Sequence, residues 1–278
     1  MEKIAIIASS RDLAGVNIRN SLIGLFDFEK LDEKFDGNTI YEYAKIQNKI
    51  IKLYLTNNEL IHSENIDNRI DADIFVFASK HRSKENTKSF AVHPIGNWGK
   101  AELGGQDGKL CNSSAVLMKN LFVALNENAK DTGYQITMEA THHGPLVEKQ
   151  SVFVEVGSTE EEWQDKENGK ILAKTIIGGI KNENSNYKIA IGIGGPHYCN
   201  NFNKIALKTD ISFSHICPKY ALLNLNEDLV NQARVKTKEK VDFILLDWKG
   251  LGQEKKRIIN LLKNPYLEFK RTYQILKD

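Results

Sequence analysis

The chain has 278 residues and few of the features that would place it at a glance. Its three cysteines, Cys111, Cys199 and Cys217, are odd in number and far apart, so they cannot form the paired framework of a small secreted domain. A reducing compartment is expected. No apolar run approaches the ~20 residues needed to cross a bilayer, and the opening MEKIAIIASS meets Arg11 and Asp12 too soon to act as a secretory signal. We therefore expect a cytoplasmic protein with no membrane partner, acting as a monomer or small homo-oligomer. Repeats, low-complexity tracts and Pro/Ser-rich linkers are missing as well, so no domain cut is visible. One domain over residues 1–278 is expected, with room for two lobes and an N-terminal lobe of roughly 1–90.

The formal net charge is only +2, which excludes a strongly basic protein that coats nucleic acid. A near-neutral total can still hide a basic face. Lys80, Arg82, Lys84 and Lys88 crowd one stretch, and Lys255, Lys256, Arg257, Lys263, Lys270 and Arg271 load the C-terminal end beside Tyr266, Phe269 and Tyr273. Each run reads either as solvated helix surface or as a phosphate-contacting face.

Short apolar runs supply the candidate strands: Lys3 to Ala8, Ile51 to Leu55, Asp73 to Ala78, Tyr134 to Thr141, Ser151 to Val156, Lys188 to Ile193 and Val241 to Asp247. Helical patterns lie between them. Ile18, Leu22, Leu25 and Phe26 share one face; Leu117, Leu121, Leu125 and Ala129 share another, opening at Asn112 to Ser114 and stopping by Gly133. Ser158-Thr159-Glu160-Glu161 reads as a capping box with Ser158 as the cap. Strands alternating with helices imply the α/β class with a largely buried sheet.

Seven histidines are present, and two stand together in ITMEATHHGP, residues 136–145. Apolar Tyr134, Ile136, Met138 and Ala140 alternate with polar Gln135, Thr137, Glu139 and Thr141, so Glu139 leaves on the polar face. The Gly144-Pro145 turn then ends the strand and allows His142 and His143 to face one point. Imidazoles beside a carboxylate can ligate zinc or exchange protons near neutrality; the bland alternative is a pair of half-exposed turn histidines. His93 precedes Pro94 in HPIGNWG with Asn97, and His197 follows Gly194-Gly195-Pro196 directly after a strand. Glycines there can expose N–H groups to phosphate, but GIGGPHY has no Walker ending and no full dinucleotide fingerprint. His197-Tyr198-Cys199 and His215-Ile216-Cys217 raise a cysteine-containing zinc site as a rival. Glu155, on the strand before Gly157-Ser158, is a further inward carboxylate candidate. Gly-x-Ser-x-Gly and His-Glu-x-x-His are both missing, so the usual serine-hydrolase and metalloprotease templates fail.

Taken in order, SSRDLAGVNI (9–18), HRS (81–83), HPIGNWG (93–99), EATHHGP (139–145), VEVGSTEEEW (154–163), GIGGPHY (192–198) and CPKYAL (217–222) resemble the archaeal and plant type of D-aminoacyl-tRNA deacylase over nearly the whole chain. That family usually reads Gly-Gly-Gly-His-Tyr-Ala-Pro in the glycine loop; here Pro196 stands for the third glycine and Cys199-Asn200 for Ala-Pro. The resemblance implies a zinc-dependent hydrolase that frees a D-amino acid from the 3′ end of aminoacylated tRNA. It also implies a three-layer α/β/α fold with a central mixed sheet, like the phosphorylase and peptidyl-tRNA hydrolase group. Glu139, His142, His143 and His93 are then expected to be catalytic, and His142, His143, His197 and Glu139 to hold the metal. Gly194, Gly195, Asn97, His81, Arg82, Lys255, Lys256 and Arg257 are expected to contact substrate and the acceptor stem. The alternative is a metal-dependent small-molecule hydrolase or a nucleoside phosphorylase-like enzyme; a non-catalytic RNA-binding protein would need neither Glu139 nor the paired histidines.

Overall fold

The computed structural model describes residues 1–263 and 267–276, so Tyr266 lies outside the described residues. Its strands are β1 (Glu2–Ser9), β2 (Glu29–Phe35), β3 (Asn38–Ile46), β4 (Lys49–Thr56), β5 (Ile74–His81), β6 (Ser89–His93), β7 (Gln135–Met138), β8 (Gln150–Gly157), β9 (Lys188–Ile193), β10 (Ile211–Cys217), β11 (Phe243–Leu246) and β12 (Glu268–Arg271). The first eight build one mixed sheet in the order β2-β3-β4-β1-β5-β8-β6-β7. The last four build a second sheet, β10-β9-β11-β12, that is parallel throughout.

Alternation along the central strands decides which layer covers which face. Ile4 and Ile6 of β1, Ile74, Val76 and Ala78 of β5, and Val152, Val154 and Val156 of β8 point to one side. There they meet the long helices Leu13–Leu25, Ala115–Ala129 and Lys166–Lys181, which also pack on one another. Ala5, Ile7, Phe75, Phe77 and Phe153 point to the other side, under Leu60, Ile66, Ile70, Ile95 and Val147. The second sheet is flanked likewise: helix Asn200–Lys208 lies on one face, with Glu227–Val235 and Lys255–Leu261 on the other. The expected α/β layering around a mixed sheet is therefore present, with a second sheet in addition.

Several local expectations are corrected. The run from Tyr134 leaves the ladder at Met138 rather than at Thr141, because Ala140 and Thr141 donate their N–H groups to His197 and Ile216 instead. The capping box is displaced by one residue: Thr159 is the cap, and the Glu162 carboxylate accepts from the N–H groups of Thr159 at 2.8 Å and Ser158 at 3.2 Å. Leu25 is exposed, at the last position of a helix whose buried stripe is Ala14, Gly15, Ile18 and Leu22. Ser114 does cap the helix that follows it, accepting from Leu117 N–H at 3.1 Å. Five strands are not expected from the pattern. β2, at the sheet edge, and β3 beside it are charged, β6 and β12 are short, and β10 (ISFSHIC) interleaves polar residues although every position is buried. Its hydroxyls are satisfied inside, with Ser212 donating to Ala115 O and Ser214 accepting from Thr237.

Two predictions follow from this packing. Gly179 abuts Leu121 so closely that a Cβ would stand 2.6 Å from its Cδ2 and 3.0 Å from its Cα, whereas a Cβ at Gly178 meets only Ala124 at 3.7 Å. In denaturant unfolding, Gly179→Ala should destabilise by about 1–3 kcal/mol, while Gly178→Ala should stabilise by about 0.5–1 kcal/mol. The second concerns His215 on β10. Burial, then the nearby positive charge of Lys236, hold this imidazole far below its ordinary 6.5, at about 3. The folded protein thus refuses a proton that the unfolded chain accepts, so the stability from this group is complete above pH ~6.5 and is lost as pH falls toward ~3. His215→Gln should flatten the acid limb of stability against pH by up to about 1.4 kcal/mol per pH unit; an identical slope in the variant would contradict a buried neutral ring.

Candidate active site

Strand register assembles the polar cluster. Ser79 and Ala91 both pair with Glu155, and Phe153 pairs with Phe77 on one side and His93 on the other. His81, Glu155 and His93 therefore share the face turned away from the long helices. Met138 pairs with Val92 and faces the helix side, so the next residue, Glu139, turns to the same face as His93; its N–H donates to Val92 O at 3.0 Å. Beyond it the chain crosses to the second sheet, and His142 forms a bridge with Ile95. His143 has φ +44, a left-handed conformation unusual for a side chain with a Cβ. This bend brings the two adjacent rings onto one side of the chain. Ring centroids are 4.0 Å apart for His93 and His142, 4.4 Å for His142 and His143, and 4.6 Å for His142 and His197.

The orientation of these rings is fixed by the backbone. Nδ1 lies 3.1 Å from Pro94 O in His93, 2.8 Å from Ala140 O in His142 and 2.6 Å from Gly144 O in His143. A carbonyl oxygen can only accept, so each ring donates from Nδ1, and in its neutral form the lone pair is on Nε2. His197 instead sets its Nδ1 3.1 Å from the Tyr220 hydroxyl. The Nε2 of His93 and both oxygens of Glu139 are buried without a hydrogen-bond partner among the described residues.

Two carboxylates share this space. Glu139, fully buried, lies 3.3 Å from His197 Nε2, 3.7 Å from His142 Nε2 and 3.5 Å from His81 Nδ1. Glu155 lies 3.4 Å from His81 Nδ1 and 3.6 Å from His93 Nε2. Burial pushes both carboxyls up, but the surrounding imidazoles outweigh it, His197 and His81 foremost for Glu139 and His81 and His93 for Glu155, and both lie below the ordinary carboxylate range. Burial also opposes charge on His81, yet Glu155 and Glu139 carry its pKa up to about 9. Burial, then neighbouring rings, hold His142 well below its ordinary value and His143 at about 4. His142 and His143 are thus neutral rings set beside His81, an imidazolium between two carboxylates. Donor atoms within 4.8 Å of one another define three sets: His93, His142 and His143; Glu139, His142 and His197; His81, Glu139 and Glu155.

Above the cluster opens a cleft of about 510 Å³, lined by His81, His142, His143, Glu155 and His197, with Arg11, Lys80 and Arg82 among its polar walls. Arg82 and Lys80 both lie over the Trp163 ring, at 5.2 and 5.8 Å. Lys88 is engaged elsewhere, with Glu162 at 3.0 Å. His81 is not in an exposed loop: it is the last residue of β5 and is 6% exposed. Asn97 is buried, and its amide holds a neighbouring loop by donating to Gly104 O at 3.0 Å. Gly194 N–H is taken by Cys217 O, and a Cβ on Gly194 or Gly195 would stand 2.9 Å from Asp247. These glycines serve a close approach of two loops, and neither borders the cleft. Lys255, Lys256 and Arg257 do not border it either. Lys255 lies 5.3 Å over Trp248, Lys256 is exposed, and Arg257 binds Glu254 together with the carbonyls of Leu222 and Leu225.

The cysteine-containing alternative does not assemble. Cys111, Cys199 and Cys217 are buried, none joins a donor set among the described residues, and Cys199 Sγ points to His197 O at 3.3 Å. Sequence reasoning overlooked Asp12, which lines the cleft while accepting from Gly15 N–H, Ser79 Oγ and Lys80 N–H. Its position one residue before an apolar helical stripe, as a cap, was the available signal.

A family model described as D-aminoacyl-tRNA deacylase matches residues 68–270. The D-aminoacyl-tRNA deacylase of Thermococcus kodakarensis is 40% identical over 261 residues, covering 91% of this chain and 93% of its own length. That of Archaeoglobus fulgidus is 35% identical, covering 92% and 91%. A crystal structure described as a conserved protein of unknown function superposes with a TM-score of 0.88 at 32% identity, covering 100% of this chain and 98% of its own. The chain belongs to the D-aminoacyl-tRNA deacylase family.

Proposed function

We propose that this protein hydrolyses the ester that joins a D-amino acid to the 3′ end of tRNA, releasing both, and that it does so with zinc held in the histidine cluster. The observation that carries the reading is the set of imidazoles whose Nδ1–H groups are spent on backbone carbonyls, leaving Nε2 beside a buried carboxylate that no hydrogen bond among the described residues satisfies. Such rings suit a metal: neutral, fixed in tautomer and aimed by a bond to their far nitrogen. His142, common to two of the donor sets, would hold it with His143 and His93 or with Glu139 and His197. When bound, zinc supplies Lewis acidity toward a carbonyl and makes water acidic enough to act near neutral pH.

The chain's own groups account for the rest. An aminoacyl ester is already activated toward water, so positioning and charge complementarity suffice without a covalent nucleophile. None is offered by the thiols, since burial raises the pKa of Cys111, Cys199 and Cys217. His81 keeps a proton on Nδ1 between Glu139 and Glu155, which offsets their charge and leaves Glu139 free to take a proton from water or to ligate. Arg11, Lys80 and Arg82 place positive charge along one wall, where the phosphates of the 3′-terminal nucleotides would lie. The exposed Lys256 and half-buried Lys255 of helix Lys255–Leu261 would extend that contact along the acceptor stem. Charged tRNA as substrate implies a cytoplasmic site of action, and no helix among the described residues is long and apolar enough to cross a membrane.

Replacing His142 or His143 by alanine should remove bound zinc and lower hydrolysis of D-Tyr-tRNA by about 100-fold or more; unchanged zinc and activity in both variants would end the proposal. For tRNA, Arg82→Ala should make the logarithmic dependence of affinity on salt shallower by about one unit. The same measurement on a Lys255→Ala/Lys256→Ala double variant decides whether that helix belongs to the interface, an unchanged slope removing it.

A further inference from the structure

Backbone carbonyls aim His93, His142 and His143, but the aim of His197 comes from a side chain, the Tyr220 hydroxyl 3.1 Å from its Nδ1. His197 lines the cleft, so Tyr220 stands at its margin. The tyrosine is 59% exposed, and its ring is tilted 31° to that of His197 with centroids 6.2 Å apart. A tyrosine open to water is ordinary on a surface, but this one is tied down along its whole length. Its backbone belongs to the 3-10 helix Lys219–Asn224. At the entry to that helix Lys219 N–H donates to Gly195 O and Gly194 N–H to Cys217 O, each at 2.8 Å, which binds the segment to the loop that carries His197. At its exit the Arg257 guanidinium donates to Leu222 O and, at 2.8 Å, to Leu225 O. A flat aromatic face is thus presented to solvent in a fixed place beside the cleft.

We infer that Tyr220 is a stacking platform for a base of the single-stranded 3′ end of tRNA, a binding site that deepens the deacylase reading and rests on it. Composition and position select this occupant. Positions three apart eclipse one another in a 3-10 helix, so Leu223, 77% exposed, stands on the same side as Tyr220 and widens the apolar face. Lys219 beside it is exposed, and the segment KYALLN contains no acidic residue. Through Arg257 the segment is joined to helix Lys255–Leu261, where Lys256 is exposed. A strand that leaves the acceptor stem over that helix and enters the cleft at His197 crosses Tyr220 on its way. An aromatic face flanked by lysines suits a chain of flat bases joined by phosphates, the ring taking the base and the ammonium groups the charge. The bond to His197 keeps the ring from swinging away, so little freedom is lost when a base settles on it.

The test separates the ring from its hydroxyl. Tyr220→Phe keeps the aromatic face and drops the bond to His197, Tyr220→Leu keeps apolar bulk without a π-face, and Tyr220→Ala removes both. Each is titrated with a labelled single-stranded RNA that has the tRNA 3′ sequence and assayed on D-Tyr-tRNA, with the thermal midpoint recorded alongside to separate loss of binding from loss of fold. Stacking predicts that the Leu and Ala variants bind the RNA about 10-fold or more weakly than the Phe variant and that their KM for D-Tyr-tRNA rises in proportion. The slope of log affinity against log salt stays as in the Phe variant, because no phosphate contact is lost. Equal RNA affinity in the Phe, Leu and Ala variants would overturn the platform and leave the tyrosine only its bond with His197; a loss confined to low salt would overturn it too, marking a charge effect. Absence of turnover of D-Tyr-tRNA by the unaltered protein would instead remove the deacylase reading, a result distinct from the RNA titration, which needs no hydrolysis.

Discussion

The interaction on which the rest of the site depends is the hydrogen bond from a ring Nδ1–H to a backbone carbonyl, made by His93, His142 and His143. Each bond decides a tautomer and a direction at once. Without it, an imidazole in this crowded space would be free to turn its N–H inward, and the lone pairs would no longer converge. The acceptors are backbone atoms of residues one or two positions away, so the aim of each ring is set by local chain path rather than by distant packing. That explains why the sharp conformations of the segment, including φ +44 at His143, coincide with the chemistry.

Charge balance is the second constraint. Taking a carboxylate out of water costs several kcal/mol even after relaxation, and this fold does so twice within one cleft, at Glu139 and Glu155. Among the described residues His81 alone is paired with both, at 3.5 and 3.4 Å. An apolar core would be cheaper to assemble, so the arrangement is best understood as one retained for chemistry. The stacked rings of Phe77, Phe153 and His93 show how the apolar layer beneath supports it: centroids are 4.9 Å apart for the two phenylalanines and 5.2 Å for Phe153 and His93.

Much of this was legible in the sequence, and the limits were physical. Short apolar runs located β1, β5, β8 and β9 to within about three residues, because those strands are buried on both faces, and period-two alternation put Glu139 on the polar side of its strand. The edge strand β2 and its neighbour β3 left no such trace, since charged residues facing water obey no burial period. β10 escaped notice for the opposite reason: its serines are buried but satisfied by partners far along the chain. His81 looked like part of a basic surface loop because lysine and arginine surround it, and only pairing with β8 reveals that it ends a strand inside the cleft. The glycines at 194 and 195 looked like a phosphate cradle, whereas the loop of Asp247 occupies the space they leave open. The glycines at 104 and 105, unnoticed in the sequence, accomplish the closer approach beside the site.

The central claim is that histidine nitrogens and a carboxylate, with no sulfur, form one metal-binding centre. X-ray absorption at the zinc edge of the loaded protein tests it most directly. The account predicts nearest scatterers of nitrogen and oxygen only, at about 2.0–2.2 Å. A sulfur scatterer near 2.3 Å, or failure of the protein to retain zinc at all, would contradict it.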